Sequence, residues 1–324
     1  MSLKICIVTP VPPRSIRGNR ITALRWARIL RSLGHRVAIT QDFNGQACDL
    51  MVALHASKSF PSIERYRNNH PEAPMVVALT GTDIYWDSQR STSCFQSIEM
   101  ATRLTLFQPS TLEDIPDQHK DKAVVIYQSA TPPPGNHAPR KRFFDVCVIG
   151  HLRSIKDPFR LARASRLLPN TSKIRVLHIG GALTPDFEKQ AHVEEVSNPR
   201  YHWLDELPHW KTVRFLARSR LLVITSESEG GPIVLVEALA ASVPVLSTRI
   251  QGAVGHLGED YPGYFPVGDT DALASLLQMA ETDRDFYAKL KYRCEKVKLL
   301  VDPARERESW KKLLKDLNTH REWH

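Results

Sequence analysis

Two carboxylates with seven residues between them, Glu229 and Glu237, flank the run Gly230-Gly231-Pro232-Ile233-Val234-Leu235-Val236. The apolar segment 221–225 before them has the character of a buried strand, and an apolar helix starts near Ile233. Glu229 therefore falls on a strand-to-helix turn, and Glu237 about one turn into the helix. Gly230 and Gly231 let a ligand approach the backbone closely, and the first helical turn offers free N–H groups to anionic oxygens. A carboxylate in the same place repels phosphate but accepts hydroxyl hydrogen bonds. A ligand carrying both kinds of group, as a sugar nucleotide does, meets both demands. The third acid, Glu227, reads as a surface residue.

A set of bases follows another predicted strand, in Gly150-His151-Leu152-Arg153-Ser154-Ile155-Lys156. When a bond to a nucleoside diphosphate breaks, charge builds on the bridging oxygen, and cations beside it stabilise that charge. Arg153 and Lys156 are candidates for this work; a helix-initiating loop with solvated bases is the other reading. His151 is as readily a structural histidine as a ligand contact. Neither metal nor cofactor is expected, and Lys and Arg carry the charge.

A third group lies near the N-terminus. Arg14, Arg17 and Arg20 surround Gly18-Asn19 just before a helix start. Guanidinium forks on a loop that leads to helix amides make a phosphate receptor, or else a plain basic surface loop. In Thr80-Gly81-Thr82-Asp83, Asp83 ends another strand, where an acid either takes a proton or caps a helix. His55, Gln128 and Ser129 also end predicted strands.

The elements that must position these groups alternate strand and helix. Strands are expected over 4–9, 37–40, 50–54, 75–79, 104–107 and 123–127, with an amphipathic helix over 20–33 closed by Gly34. A second series covers 145–149, 174–179, 201–204, 221–225 and 243–247, with one helix opened by Asp157-Pro158 as cap and first-turn proline. This is βαβ patterning of the α/β class, with parallel sheets covered on both faces. The stiff polar stretch 132–142 reads as a linker between a domain over 1–131 and one over 143–302. From about Asp269 the chain reads as wholly helical. Arg160, Arg163 and Arg166 read as the solvated face of one helix.

At 324 residues the chain is too long for one ordinary core. An apolar content of 42% is that of a folded soluble protein, and no apolar run approaches a membrane span, so no stable membrane insertion is expected. The N-terminus enters a strand at once, without a secretory apolar region. Cys6, Cys48, Cys94, Cys147 and Cys294 are scattered and lack metal-ligand spacing. Cys6 and Cys147, inside strands, read as small buried hydrophobes in a reducing cytoplasm. The net charge of +9 comes with no nucleic-acid motif or aromatic stacking array, so small anionic ligands are the expected partners.

Glu229-x7-Glu237 followed by Ala-Leu-Ala-Ala-Ser-Val-Pro-Val resembles the signature of the family 4, retaining-type glycosyltransferases. The resemblance implies a GT-B fold: two Rossmann-like domains facing a central cleft, with a C-terminal helix, here 305–317 within 303–324, crossing back to the first. It implies that Glu229 faces the donor sugar, that Glu237 holds the ribose, and that Lys156 neutralises the donor diphosphate. His151 stands where the family has Arg, and Arg153 is close enough to replace that charge. The first domain would then take the acceptor and the second the donor. The arginine loop, Leu-Thr-Gly-Thr-Asp-Ile-Tyr and Gly-His-Leu-Arg-Ser-Ile-Lys together resemble the subgroup of selenosugar synthases of selenoneine biosynthesis. That resemblance implies UDP-N-acetylglucosamine or UDP-glucose as donor and selenophosphate as acceptor, the latter held by Arg14, Arg17, Gly18, Asn19, Arg20 and Thr82. Arg153, Lys156, Glu229 and Asp83 would serve the reaction; His151, Gly230, Gly231, Pro232 and Glu237 would bind the donor. A glycosyltransferase with a hydroxyl acceptor and a non-catalytic nucleotide-sugar binder are the alternatives.

Overall fold

The computed structural model of the protein describes residues 2–13, 18–81, 83 and 91–319. Internal contacts divide the chain into two units, one of Met1–Gln128 with Pro303–His324 and one of Ser129–Asp302. The division places the polar stretch 132–142 with the second unit; residues 131–140 contain neither helix nor strand.

The first unit is built on a six-stranded parallel sheet in the order β2-β1-β3-β4-β5-β6. Its strands are β1 (Lys4–Val8), β2 (Arg36–Thr40), β3 (Leu50–Leu54), β4 (Met75–Leu79), β5 (Arg103–Leu106) and β6 (Ala123–Val125). β3 and β4 read Leu-Met-Val-Ala-Leu and Met-Val-Val-Ala-Leu and are buried at every residue, because both faces of a central parallel strand are covered. The helix Gly18–Ser32 buries Thr22, Ala23, Trp26, Ala27 and Leu30, a stripe at helical spacing.

The helix Pro303–Thr319 closes this same core. Trp310, Leu313, Leu314 and Leu317 join the cluster of Trp26 and Leu30, and the Trp26 and Trp310 rings meet edge to face with centroids 4.8 Å apart. Glu306 is 1% exposed. Arg25 Nε donates to both its oxygens at 3.1 and 2.9 Å, and Trp26 Nε1 donates to Oε1 at 2.8 Å. Burying a carboxylate is costly unless it is paired and hydrogen-bonded in this way.

The second unit has its own six-stranded parallel sheet, ordered β12-β11-β10-β7-β8-β9. Its strands are β7 (Phe144–Ile149), β8 (Ile174–Ile179), β9 (Tyr201–Trp203), β10 (Leu221–Ile224), β11 (Val245–Thr248) and β12 (Tyr264–Phe265). β12 has only two residues, too few to show periodicity in the sequence. Helices from Thr270 onward follow, with Asp269 Oδ1 accepting from Ala272 N–H at 2.9 Å as the cap. Among the described residues no helix is long and apolar enough to cross a membrane.

Two local expectations fail here. Asp157 does not cap a helix: it ends the short 3-10 turn Ser154–Lys156 in a left-handed conformation (φ 41°), and Phe159 precedes the helix Arg160–Arg166. Asp157 N–H closes that turn on Ser154 O at 2.8 Å. Nor is Arg160 solvated with Arg163 and Arg166. Its Nε donates to Asp157 Oδ2 at 2.6 Å and its Nη1 to Thr270 Oγ1 at 2.7 Å.

Candidate active site

The loops that follow β7 and β10 are stitched together at the carboxyl end of the second sheet. Thr225 Oγ1 donates to Lys156 O at 2.8 Å, and Glu227 N–H donates to Ile155 O at 2.9 Å. Thr248 Oγ1 donates to Ser226 O at 2.6 Å, bringing in the end of β11. This lattice carries Lys156 to Glu229: Lys156 Nζ donates to Glu229 Oε1, as does Ser226 Oγ at 2.7 Å. Both partners are side chains, so a ligand can replace either without disturbing the main chain. Gly150, Lys156, His178, Thr225, Ser226 and Glu229 line one cavity.

Two glycines absent from the sequence reading let this site close up. Gly252 N–H donates to Glu229 O at 3.1 Å, and a Cβ on Gly252 would stand 2.3 Å from that oxygen. At Gly180 (φ 150°) a Cβ would stand 2.0 Å from Gly150 O. Each is a close backbone approach that only glycine permits.

Buried imidazoles brace both places. His178 Nε2 lies 3.4 Å from Gly150 O and its Nδ1 2.8 Å from the Tyr201 hydroxyl. With Nε2–H donating to the carbonyl, Nδ1 accepts from Tyr201. His256 Nδ1 lies 2.8 Å from Gly252 O. Burial pushes both rings down to about 4, so they are neutral near pH 7.

Glu237 is buried on the apolar helix Ile233–Ala240, and His209 Nε2 meets its Oε1 at 2.6 Å. His209 opens the helix His209–Arg218 and is half exposed. Nothing in the sequence singled it out, since the pairing spans 28 residues. Gly230 and Pro232 are buried, Gly231 is half-buried, and Pro232 occupies the position just before the helix. His151 Nδ1 lies 3.8 Å from Glu206 Oε2. Arg153 extends into solvent, and Glu227 is exposed as the sequence indicates.

In the first unit Gly18 and Asn19 form the first turn of the helix Gly18–Ser32, with open space beside Gly18. Arg20 Nε is buried without a hydrogen-bond partner among the described residues. Arg14, Arg17 and Thr82 lie outside the described residues.

Asp83 is held by main-chain donors from two loops. It is fully buried, and its oxygens accept from Thr80 N–H at 2.9 Å, Gly81 N–H at 2.7 Å and Ala56 N–H at 2.9 Å. A carboxylate so occupied by main-chain donors ties the ends of two loops together. His55 beside it adopts φ 73° and its Nδ1 accepts from Lys58 N–H at 3.3 Å. Gln128 is equally committed, accepting from Thr22 Oγ1 at 3.0 Å and from Arg25 Nη2 at 2.8 Å. Ser129 is buried at the start of the second unit.

Comparison with known proteins agrees with this architecture. Two D-inositol 3-phosphate glycosyltransferases, from Corynebacterium glutamicum (strain R) and Corynebacterium efficiens, are each 30% identical over 149 residues, 42% of this chain. The matched stretch spans 36% and 35% of those relatives' own lengths, about a third. Sucrose-phosphate synthase from Thermosynechococcus elongatus superposes with a TM-score of 0.80 at 14% identity, over 98% of this chain and 99% of that one. Anabaena HepE in complex with UDP gives 0.77 at 16% identity, over 98% and 100%. These likenesses establish the fold, two parallel-sheet Rossmann-like units of the GT-B type. The profile of the glycosyl transferases group 1 family matches residues 134–297, just over half of the sequence, and the chain belongs to that family.

Proposed function

We propose that the protein is a UDP-sugar-dependent glycosyltransferase, and that its acceptor is selenophosphate. The observation that carries the donor half is the pairing of Lys156 with Glu229 beside Gly150, with Glu237 buried nearby in the same unit. A cation and a carboxylate held by exchangeable side-chain contacts suit the diphosphate and the sugar hydroxyls of one donor. Lys156 and Arg153 stabilise the negative charge that develops on departing UDP. Glu229 then turns to the sugar hydroxyls and Glu237 to the ribose, while Gly230, Gly231 and the buried Pro232 leave room for close backbone approach. His151 stays a neighbour of the diphosphate. The UDP complex of Anabaena HepE, a protein of the same fold, supports this choice of nucleotide.

The acceptor half rests on Arg20, whose buried Nε has no hydrogen-bond partner among the described residues, on the open helix start at Gly18-Asn19, and on Arg14 and Arg17 before it in the sequence. Selenium attacks the anomeric carbon as the bond to UDP breaks, leaving a phosphoryl-selenosugar. Water then attacks phosphorus, the P–Se bond breaks, inorganic phosphate departs, and selenium keeps the bonding electrons and takes a proton from that water. Thr82 contributes to acceptor binding and Asp83 to the shape of the loop. A hydroxyl acceptor bearing a phosphate is the second reading, favoured by the D-inositol 3-phosphate glycosyltransferases among the relatives.

The test is incubation of the purified chain with UDP-N-acetylglucosamine or UDP-glucose and fresh selenophosphate, without added metal. A selenium isotope pattern at the selenosugar mass together with free UDP is the expected result. UDP release only with a phosphorylated polyol would establish the second reading. Donor binding without turnover under either acceptor would overturn both.

A further inference from the structure

The helix Ile233–Ala240 buries six of its eight residues, and Glu237 is the one acid among them. Its side chain is only 8% exposed, and a carboxylate so far from water needs a hydrogen-bond donor. Among the described residues that donor is His209, whose Nε2 stands 2.6 Å from Glu237 Oε1. An ionised carboxylate only accepts, so Nε2 carries the hydrogen. The other oxygen, Oε2, has no hydrogen-bond partner among the described residues.

The imidazole is itself firmly seated. His209 is the first residue of the helix His209–Arg218, and Pro208 before it, at φ −54°, sets the direction in which the chain enters. Pro208 O accepts from Lys211 N–H at 2.8 Å and from Thr212 N–H at 3.1 Å, which closes the first turn. Thr212 and Leu216 bury the inner side of that helix. The ring therefore projects from packed backbone, half exposed, and bears on Glu237 from the helix beside it.

We infer that His209 is a positioning residue that makes the nucleotide site select for ribose. The inference rests on the reading of Glu237 as the ribose contact. Held at Oε1 by His209, the carboxylate keeps one rotamer and presents Oε2 to the vicinal ribose hydroxyls, which donate to it. Without the imidazole Glu237 samples several rotamers, and the cost of ordering it falls on nucleotide binding. A nucleotide whose sugar lacks those hydroxyls leaves Oε2 unpaired in a nearly buried place, and a site built around a hydroxyl donor rejects such an analogue.

The experiment is calorimetric titration of the full chain with UDP and with 2′,3′-dideoxy-UDP, in the wild type, His209→Ala, His209→Gln and His209→Asn. The wild type is expected to favour UDP by about tenfold, the size of one hydrogen bond to a charged group. His209→Ala is expected to weaken UDP by nearly that factor and to leave the dideoxy analogue unaffected, so the preference collapses. A glutamine amide reaches the place of Nε2 and restores the preference; an asparagine amide reaches only the place of Nδ1 and does not. Equal loss of both ligands, or a preference retained in the Ala and Asn variants, overturns the inference while leaving Glu237 at the ribose. A wild type that binds both ligands equally removes Glu237 from the ribose, and His209 with it. The Gln and Asn variants decide the matter between them even if His209→Ala fails to fold.

Discussion

Asp83 and Glu229 occupy equivalent stations in the two units: each is a carboxylate just past a central parallel strand, β4 in one and β10 in the other. Their partners differ in kind. Asp83 is saturated by main-chain N–H groups of its own and a neighbouring loop, whereas Glu229 is held by Lys156 Nζ and Ser226 Oγ. Main-chain donors cannot leave without unfolding a loop, while side chains rotate away at little cost. An acid at a strand end is therefore structural or chemical according to what it is bonded to, and position alone does not decide.

The largest effect that tests this contrast is on turnover. Glu229→Ala or Lys156→Ala should lower kcat by roughly 100- to 1,000-fold, as loss of one electrostatic stabiliser does, with the melting temperature little changed. Asp83→Ala should do the reverse. Orphaning buried main-chain donors costs about 1–3 kcal/mol each, so denaturant titration should show a loss of several kcal/mol while the folded fraction still turns over. Full activity loss in Asp83→Ala at unchanged stability would erase the distinction between the two acids.

Acid should loosen the second unit through its bracing imidazoles. Burial holds His178 and His256 at about 4 in the folded protein, below the ordinary 6.5, so the unfolded chain takes up protons first as pH falls. The resulting stability is complete above about pH 6.5 and declines from there to about pH 4, by roughly 3 kcal/mol per ring. Denaturation midpoints across that window should show the slope, and His178→Gln should remove about one proton's share of it. A slope unchanged in that variant would take His178 out of the account.

Smaller still is the effect expected of Glu237→Ala, about tenfold weaker UDP binding by calorimetry, the size of one lost charged hydrogen bond. Unaltered affinity would remove Glu237 from the nucleotide site. Glu227→Ala, beside Glu229 in the chain but exposed, should change stability by less than about 0.5 kcal/mol and leave turnover intact.

Most of the sheet was legible in the sequence, because buried parallel strands are apolar runs of nearly fixed length: 50–54, 75–79 and 174–179 coincide with β3, β4 and β8. The run after β10 was legible because strand, acid, glycines and helix follow one another without a break. What was hidden depends on contacts between distant segments. Gly252 matters only because Glu229 O approaches it, and His209 only because folding brings it to Glu237. Asp157-Pro158 misled for a local reason: a helix cap and a turn exit draw on the same residue types.

The Trp26–Trp310 contact and the Glu306 cluster also bear on the order in which the protein can be completed during synthesis. The first unit begins at the N-terminus, yet the carboxylate that Arg25 and Trp26 require is supplied 281 and 280 residues later. The second unit is one continuous stretch and can finish while the first still exposes Trp26 and its neighbours. Vectorial synthesis therefore leaves the apolar surface around Trp26 unsealed until the helix Pro303–Thr319 is made, after every residue of the second unit.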